Sequence, residues 1–150
     1  MKELKVTPIK DGTVIDHITP GRALKVLRVL KIPESTISVV SILMNVNGKK
    51  GKKDIVKIEN RELDPKEVNK IALLAPKATI NIIRDYEVVK KHKVELPKDV
   101  IGLTKCSNPT CISNAREPVE SRFQVISIEP LRIKCYYCER EPEDIAAGII

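Results

Sequence analysis

An α+β fold in two unequal units is predicted for this chain of 150 residues, on three observations. Residues 1–97 alternate β-branched stretches with two segments of helical apolar spacing. That periodicity stops around Leu96-Pro97-Lys98-Asp99, and all 4 cysteines lie beyond it. With 42% hydrophobic residues the chain has enough apolar material for real cores. A first unit over 1–97 and a second over 101–150 follow, with the boundary in the stretch between them.

Residues 6–9 and 13–18 read as short β segments around the turn pair Asp11-Gly12. Thr19-Pro20 then supplies an N-cap followed by proline at the first helical position, and Ala23, Leu24, Val26, Leu27 and Leu30 trace one apolar stripe. This first helix ends before Pro33. Residues 36–46 form a long strand with Ile37, Val39 and Leu43 on one face and Val40, Ile42, Met44 and Val46 on the other, so both faces need cover. Asn47-Gly48 and Gly51 turn the chain into an alternating strand over 52–59, making a hairpin. Asp64-Pro65-Lys66-Glu67 opens a second helix, with Asp64 as the cap, Glu67 in the reciprocal position, and Val68, Ile71, Ala72, Leu74 and Ala75 facing inward. Pro76 stops it, and residues 78–83 and 86–96 are two further strands joined at Arg84-Asp85.

Strand, helix, strand, strand, helix, strand with an added terminal hairpin is the order of a ferredoxin-like α/β sandwich, the topology expected for the first unit. The second unit is too small to hold itself by apolar burial alone, so a metal or a partner should supply the rest, and a small all-β, ribbon-like metal-binding module is expected there.

The formal net charge of +7 favours anionic partners such as nucleotides, nucleic acid or an acidic protein surface. The aromatic residues are only Tyr86, Phe123, Tyr136 and Tyr137, which argues against sequence-tolerant binding of single strands by base stacking. Charged residues make up 31% and Gln124 is the sole glutamine, a composition suited to work at high temperature. Hydrophobic stretches such as residues 35–46 are interrupted by Ser41 and Asn45 and fall well short of the ~20 residues that cross a bilayer. The N-terminus lacks the apolar core of a secretory signal, so a cytoplasmic location with reduced cysteines is expected.

Cys106 and Cys111 are four residues apart in the intervening chain, and Cys135 and Cys138 two, so each pair can sit on a tight loop. Two such loops face to face give four thiolates for one tetrahedral Zn2+ at ~2.3 Å. Ser107, Asn108 and Pro109 build the first turn. Four thiolates leave no open position for water, so the ion would be structural. An iron–sulfur cluster is the competing metal reading, and plain buried thiols the competing structural one.

Nothing in the sequence resembles a phosphate-cradling glycine loop, a nucleophile elbow or a helical metalloprotease motif, and His17 and His92 are the only imidazoles, so no enzyme site is expected. Asp16-His17 looks like an acid–base pair, yet neighbours on a regular strand point to opposite faces. Lys53 and Lys57 share a face with Cα atoms ~13 Å apart, a span that covers much of a nucleotide. Lys90 and Lys91 add phosphate partners on another strand, although a row of lysines is also how an ordinary solvated strand looks.

Taken together, Gly12-Thr13-Val14-Ile15-Asp16-His17-Ile18, Lys53-Asp54-Ile55-Val56-Lys57-Ile58-Glu59-Asn60, Ala75-Pro76-Lys77-Ala78-Thr79-Ile80-Asn81 and Tyr86-Glu87-Val88-Val89 resemble the regulatory chain of aspartate carbamoyltransferase. Cys106-Ser107-Asn108-Pro109-Thr110-Cys111-Ile112-Ser113 and Cys135-Tyr136-Tyr137-Cys138-Glu139 are similar to that family's zinc domain, in the same order. The resemblance covers nearly the whole chain.

It implies a non-catalytic allosteric subunit of an enzyme of pyrimidine biosynthesis. In that family regulatory homodimers join two catalytic trimers into a dodecamer of six catalytic and six regulatory chains, the zinc domain docks on the catalytic chain, and ATP and CTP compete for the N-terminal domain. By similarity Asp16 and His17 would face ribose and phosphates, Lys57 the ribose or base, and Lys91 the phosphates. Ile9, Asn81, Ile83, Tyr86 and Val88 would surround the base, with Lys53 near a second nucleotide or phosphate position. Thr7-Pro8 departs from the family's usual pair beside the base, which bears on ATP/CTP preference more than on binding. The competing expectation, supported by the charge, is a zinc-ribbon protein that binds nucleic acid; a gel shift against a CTP titration separates the two.

Overall fold

Apolar residues on one face of the strands and apolar stripes on two helices leave one arrangement that buries both, helices laid on one side of a sheet. The computed structural model describes residues 9–32, 34, 37–115, 119–128 and 130–149 and has that arrangement. Its elements are β1 (Gly12–Ile18), α1 (Ala23–Val29), β2 (Val40–Gly48), β3 (Gly51–Glu59), α2 (Pro65–Leu74), β4 (Thr79–Arg84), β5 (Glu87–Lys93), β6 (Asp99–Ile101), β7 (Arg122–Ile128), β8 (Leu131–Cys135) and α3 (Ile145–Gly148). The first sheet runs β2-β3-β1-β4-β5, antiparallel throughout, which is the ferredoxin-like order with β5 added at one edge. The expected strand over 6–9 lies outside the described residues apart from Ile9, which is buried. Thr7-Pro8 lies outside them too.

Local chemistry accounts for most boundaries. Gly48 pairs with Gly51 across a two-residue loop of Lys49-Lys50, closing the β2–β3 hairpin. Asp64 caps α2 by accepting from the Glu67 N–H at 2.9 Å, while the Glu67 carboxylate accepts from the Asp64 N–H at 3.2 Å. Such a reciprocal cap contributes about 1 kcal/mol. The β4–β5 turn places Asp85 and Tyr86 at φ of 52° and 66°, so Tyr86 stands in the turn and not on the strand where the sequence put it.

The first helix departs from expectation. It starts at Ala23, because Gly21 at φ 88° interrupts helical geometry, and Thr19-Pro20-Gly21-Arg22 form a turn closed by the Arg22 N–H on the Thr19 carbonyl at 3.0 Å. Asp54 of β3, not Thr19, receives the amides at this end, from Gly21 at 2.9 Å and Ala23 at 3.2 Å. Leu24, expected inward, is exposed, while Ala23, Val26 and Leu30 are buried. Strand β2 begins at Val40, and a bulge between Leu43 and Val46, with Asn45 at φ 59°, breaks the simple alternation read from sequence.

Two cores result. Ile15, Ile18, Val56, Ile58, Ile80 and Ile82 of the sheet pack on Ala23, Val26, Leu30, Ile71, Ala72 and Leu74 of the helices. Val100, Leu103, Phe123 and Ile133 pack beside Cys106, Cys111 and Cys135 under the second sheet, order β6-β7-β8. Each core borrows from the other unit: Leu73 of α2 is buried in the second, and Ala146 of α3 in the first. The Arg28 guanidinium donates to the Ala146 carbonyl at 3.1 Å. Helix α3 departs from the all-β module expected for residues 101–150.

Candidate metal centre and open sheet face

The first cysteine pair sits on a loop held by amide side chains. Asn108 accepts from the Thr110 N–H at 3.1 Å and hydroxyl at 2.8 Å, and Asn114 donates to the carbonyls of Cys106 at 3.0 Å and Asn108 at 2.8 Å. The second pair closes the end of β8, where the Glu139 N–H donates to the Cys135 carbonyl at 2.9 Å and Glu139 takes φ 62°. These loops bring the four Sγ atoms within 4.8 Å of one another. Cys106 lies 3.6 Å from Cys138 and Cys111 3.7 Å from Cys135.

Those separations identify the chemistry. A disulfide needs sulfurs ~2.0 Å apart. A tetrahedron with ~2.3 Å metal–sulfur bonds has edges of ~3.8 Å, close to both observed distances. Burial pushes the Cys106 thiol up to about 12 and raises Cys135 as well. Burial acts the same way on Cys138, but the backbone N–H of Arg140 and the Cys106 and Asn108 side chains outweigh it and bring that thiol down to about 7. Four sulfur donors gathered this closely, three of them buried, suit one divalent, thiophilic ion held among them, and zinc fits the set.

The second feature is the face of the first sheet turned away from the helices. Residues opposite one another on neighbouring strands share a face, and the register lines up Lys91, Asn81, Val14 and Lys57 in one row across β5, β4, β1 and β3. At ~4.8 Å per strand this row is ~14 Å long with an ammonium at each end. Burial lowers the pKa of Lys57, partly offset by the charge of Asp16.

Toward the C-terminal end of β1 the polar groups converge. A bulge between Ile15 and Ile18 places His17 at φ 57°, and its ring Nδ1 lies 3.8 Å from the Asp16 carboxylate. The regular-strand expectation that these two diverge therefore fails at the bulge. The Lys53 ammonium reaches Asp16 at 3.0 Å, and the Thr79 hydroxyl stands 3.3 Å from His17 Nδ1. Asn81 is held by donation to the Val14 carbonyl at 3.4 Å. Toward the other end, Ile83 pairs with both Gly12 and Val88, and the Tyr86 N–H donates to the Lys10 carbonyl at 2.9 Å, next to buried Ile9. From Gly12 to Asp16 is ~13 Å of strand, so the face has an apolar end and a charged end. Thr79 and Val14 share this face and were missed from sequence, since only the register reveals them.

A closed thiolate centre beside an α+β domain with an open basic face defines a chain of two binding modules. Family models match both modules: the aspartate carbamoyltransferase regulatory chain, allosteric domain, over residues 4–95, and its metal binding domain over residues 98–146. Among curated relatives, the aspartate carbamoyltransferase regulatory chain of Methanothermobacter thermautotrophicus is 58% identical over 92% of this chain and 88% of its own length. That of Pyrococcus abyssi is 56% identical over 99% and 100%, and that of Korarchaeum cryptofilum 58% over 91% and 88%.

The chain belongs to the aspartate carbamoyltransferase regulatory chain family. It is thus a regulatory and not a catalytic chain, with an allosteric domain and a metal-binding domain, and its implied partner is a catalytic chain. The expectation of a zinc-ribbon nucleic-acid binder gives way to this membership. No helix among the described residues is long and apolar enough to cross a membrane.

Proposed function

We propose that the open face of the first sheet receives ATP and CTP as allosteric effectors, and that the zinc-holding module passes their effect to catalytic chains in a cytoplasmic assembly. The observation that carries this reading is the row Lys57-Val14-Asn81-Lys91, with Asp16, His17 and Lys53 clustered beside it at the charged end of the same sheet. Asp16 and His17 would take ribose and phosphates, Lys57 the ribose or base, and Lys91 the phosphates. Ile9, Asn81, Ile83, Tyr86 and Val88 would enclose the base, and Lys53 would serve a second nucleotide or phosphate. The zinc, saturated by Cys106, Cys111, Cys135 and Cys138, would do no chemistry and would hold the docking module folded.

Exposed apolar residues support the assembly. Ile37, Val39, Ile42 and Met44 stand out on and before β2, where a second copy of the chain would cover them in a regulatory homodimer. Ile101, Ile126, Ile128 and Tyr136 are half exposed on the second module, where a catalytic chain would cover them. A dodecamer of six regulatory and six catalytic chains satisfies both contacts. An effector shifts such an assembly only by binding its two states unequally, by a typical ~1–3 kcal/mol.

Replacing Lys91 by Ala tests the site. Removing one charge-assisted contact should weaken ATP and CTP about tenfold or more in calorimetric titration, with zinc content unchanged. Affinity equal to that of the parent chain would refute the assignment.

A further inference from the structure

One buried charge is used by neither the metal centre nor the effector face. Asp54 is fully buried, and its carboxylate accepts three backbone N–H groups: Gly21 at 2.9 Å and Ala23 at 3.2 Å on Oδ2, and Asn45 at 2.8 Å on Oδ1. No Lys or Arg forms an ion pair with it among the described residues. Its position matters more than its burial. On one side, Asp54 pairs with Ile18, directly after the β1 bulge that carries Asp16 and His17. On the other, it holds the β2 bulge, where Asn45 takes φ 59° between Leu43 and Val46. Its chain neighbour Lys53 makes the ion pair with Asp16.

We propose that Asp54 is a positioning residue of the effector site, a clamp that fixes the Asp16-His17 bulge against Lys53 and ties it to the bulge on the outer strand β2. The proposal rests on the nucleotide reading above. All three partners are donors, so only a group with acceptors alone satisfies them; an asparagine must aim its own NH2 at one of the N–H groups. Any movement of Asp16 and His17 toward a phosphate pulls on the segment that ends at Gly21 and Ala23, and the carboxylate carries that pull to Asn45. The same strand β2 presents Ile42 and Met44 to solvent, so the clamp links the effector face to the surface where a second copy would sit.

The test is Asp54→Asn, titrated with CTP, ATP and CMP beside the parent chain and Lys91→Ala, all zinc-loaded. The expected result is about a tenfold loss for CTP and ATP, an unchanged CTP-to-ATP ratio, and a smaller loss for CMP, because the clamp sits at the charged end. Parental affinity in Asp54→Asn, with Lys91→Ala weakened, would overturn the clamp and leave the site standing. Equal losses for CTP and CMP would also overturn it, since a general structural defect scales all ligands alike. A parent chain that binds none of the three would end both readings. Should Asp54→Asn fail to fold, amide hydrogen exchange in the parent chain decides: saturating CTP should slow Gly21, Ala23 and Asn45 together, and unchanged exchange at all three would overturn the proposal.

Discussion

Leu73 belongs to α2 of the allosteric domain by sequence, yet its side chain is 1% exposed in the core of the metal-binding domain, beside Val100, Leu103, Phe123 and Ile133. Truncating it to alanine empties a leucine-sized volume at a packed junction, which costs about 3 kcal/mol within a usual ~2–5. For a chain of this size each kcal/mol lowers Tm by ~2–4 °C, so Leu73→Ala should melt about 6–12 °C lower by scanning calorimetry. If the whole cost falls on the metal-binding domain, the zinc dissociation constant rises by up to about a hundredfold in competition with a chelator. Val26→Ala, at 0% exposure in the first core, is the control: a loss of Tm with zinc affinity untouched. Equal zinc affinities for Leu73→Ala and the parent chain would refute the idea that α2 is a structural part of both domains.

Two further outcomes follow from the same geometry. Metal analysis should find one zinc per chain, and chelation should unfold the second core, seen as exposure of Phe123 and loss of binding to the catalytic chain; a chelated chain that stays folded would contradict a structural ion. Burial depresses the pKa of Lys57, and a ribose or base oxygen accepting from its ammonium would raise it again. In the interval between the depressed and restored values, binding therefore takes up a proton. Calorimetry of CTP just below the ordinary lysine value of 10.5, in two buffers of different ionisation enthalpy, should reveal proton uptake, absent in Lys57→Met; no buffer dependence would remove Lys57 from the site.

Much of the fold was legible because its signals are local. The Asn47-Gly48 and Gly51 turn, the Asp64 and Glu67 capping box and the paired cysteine spacings each act within a few residues, and each appears where the sequence put it. What escaped depends on partners distant in sequence. Thr19-Pro20 has the form of a helix start, but Asp54, more than thirty residues on, supplies the acceptor and moves that start to Ala23. Leu73 lies off the expected inward face of α2 because a second domain covers another side of that helix. The Asp16-His17 pair meets only through a bulge, which alternation cannot announce. Likewise Thr79 and Val14 join the open face of the first sheet through cross-strand register alone.

The most direct test of the account is to mix the zinc-loaded chain with the catalytic chain of the same source and record aspartate saturation with and without CTP or ATP. Effector binding at the open sheet face requires a complex whose saturation curve shifts with nucleotide and loses that response when Lys91 is alanine. A complex whose curve is indifferent to every nucleotide would contradict it.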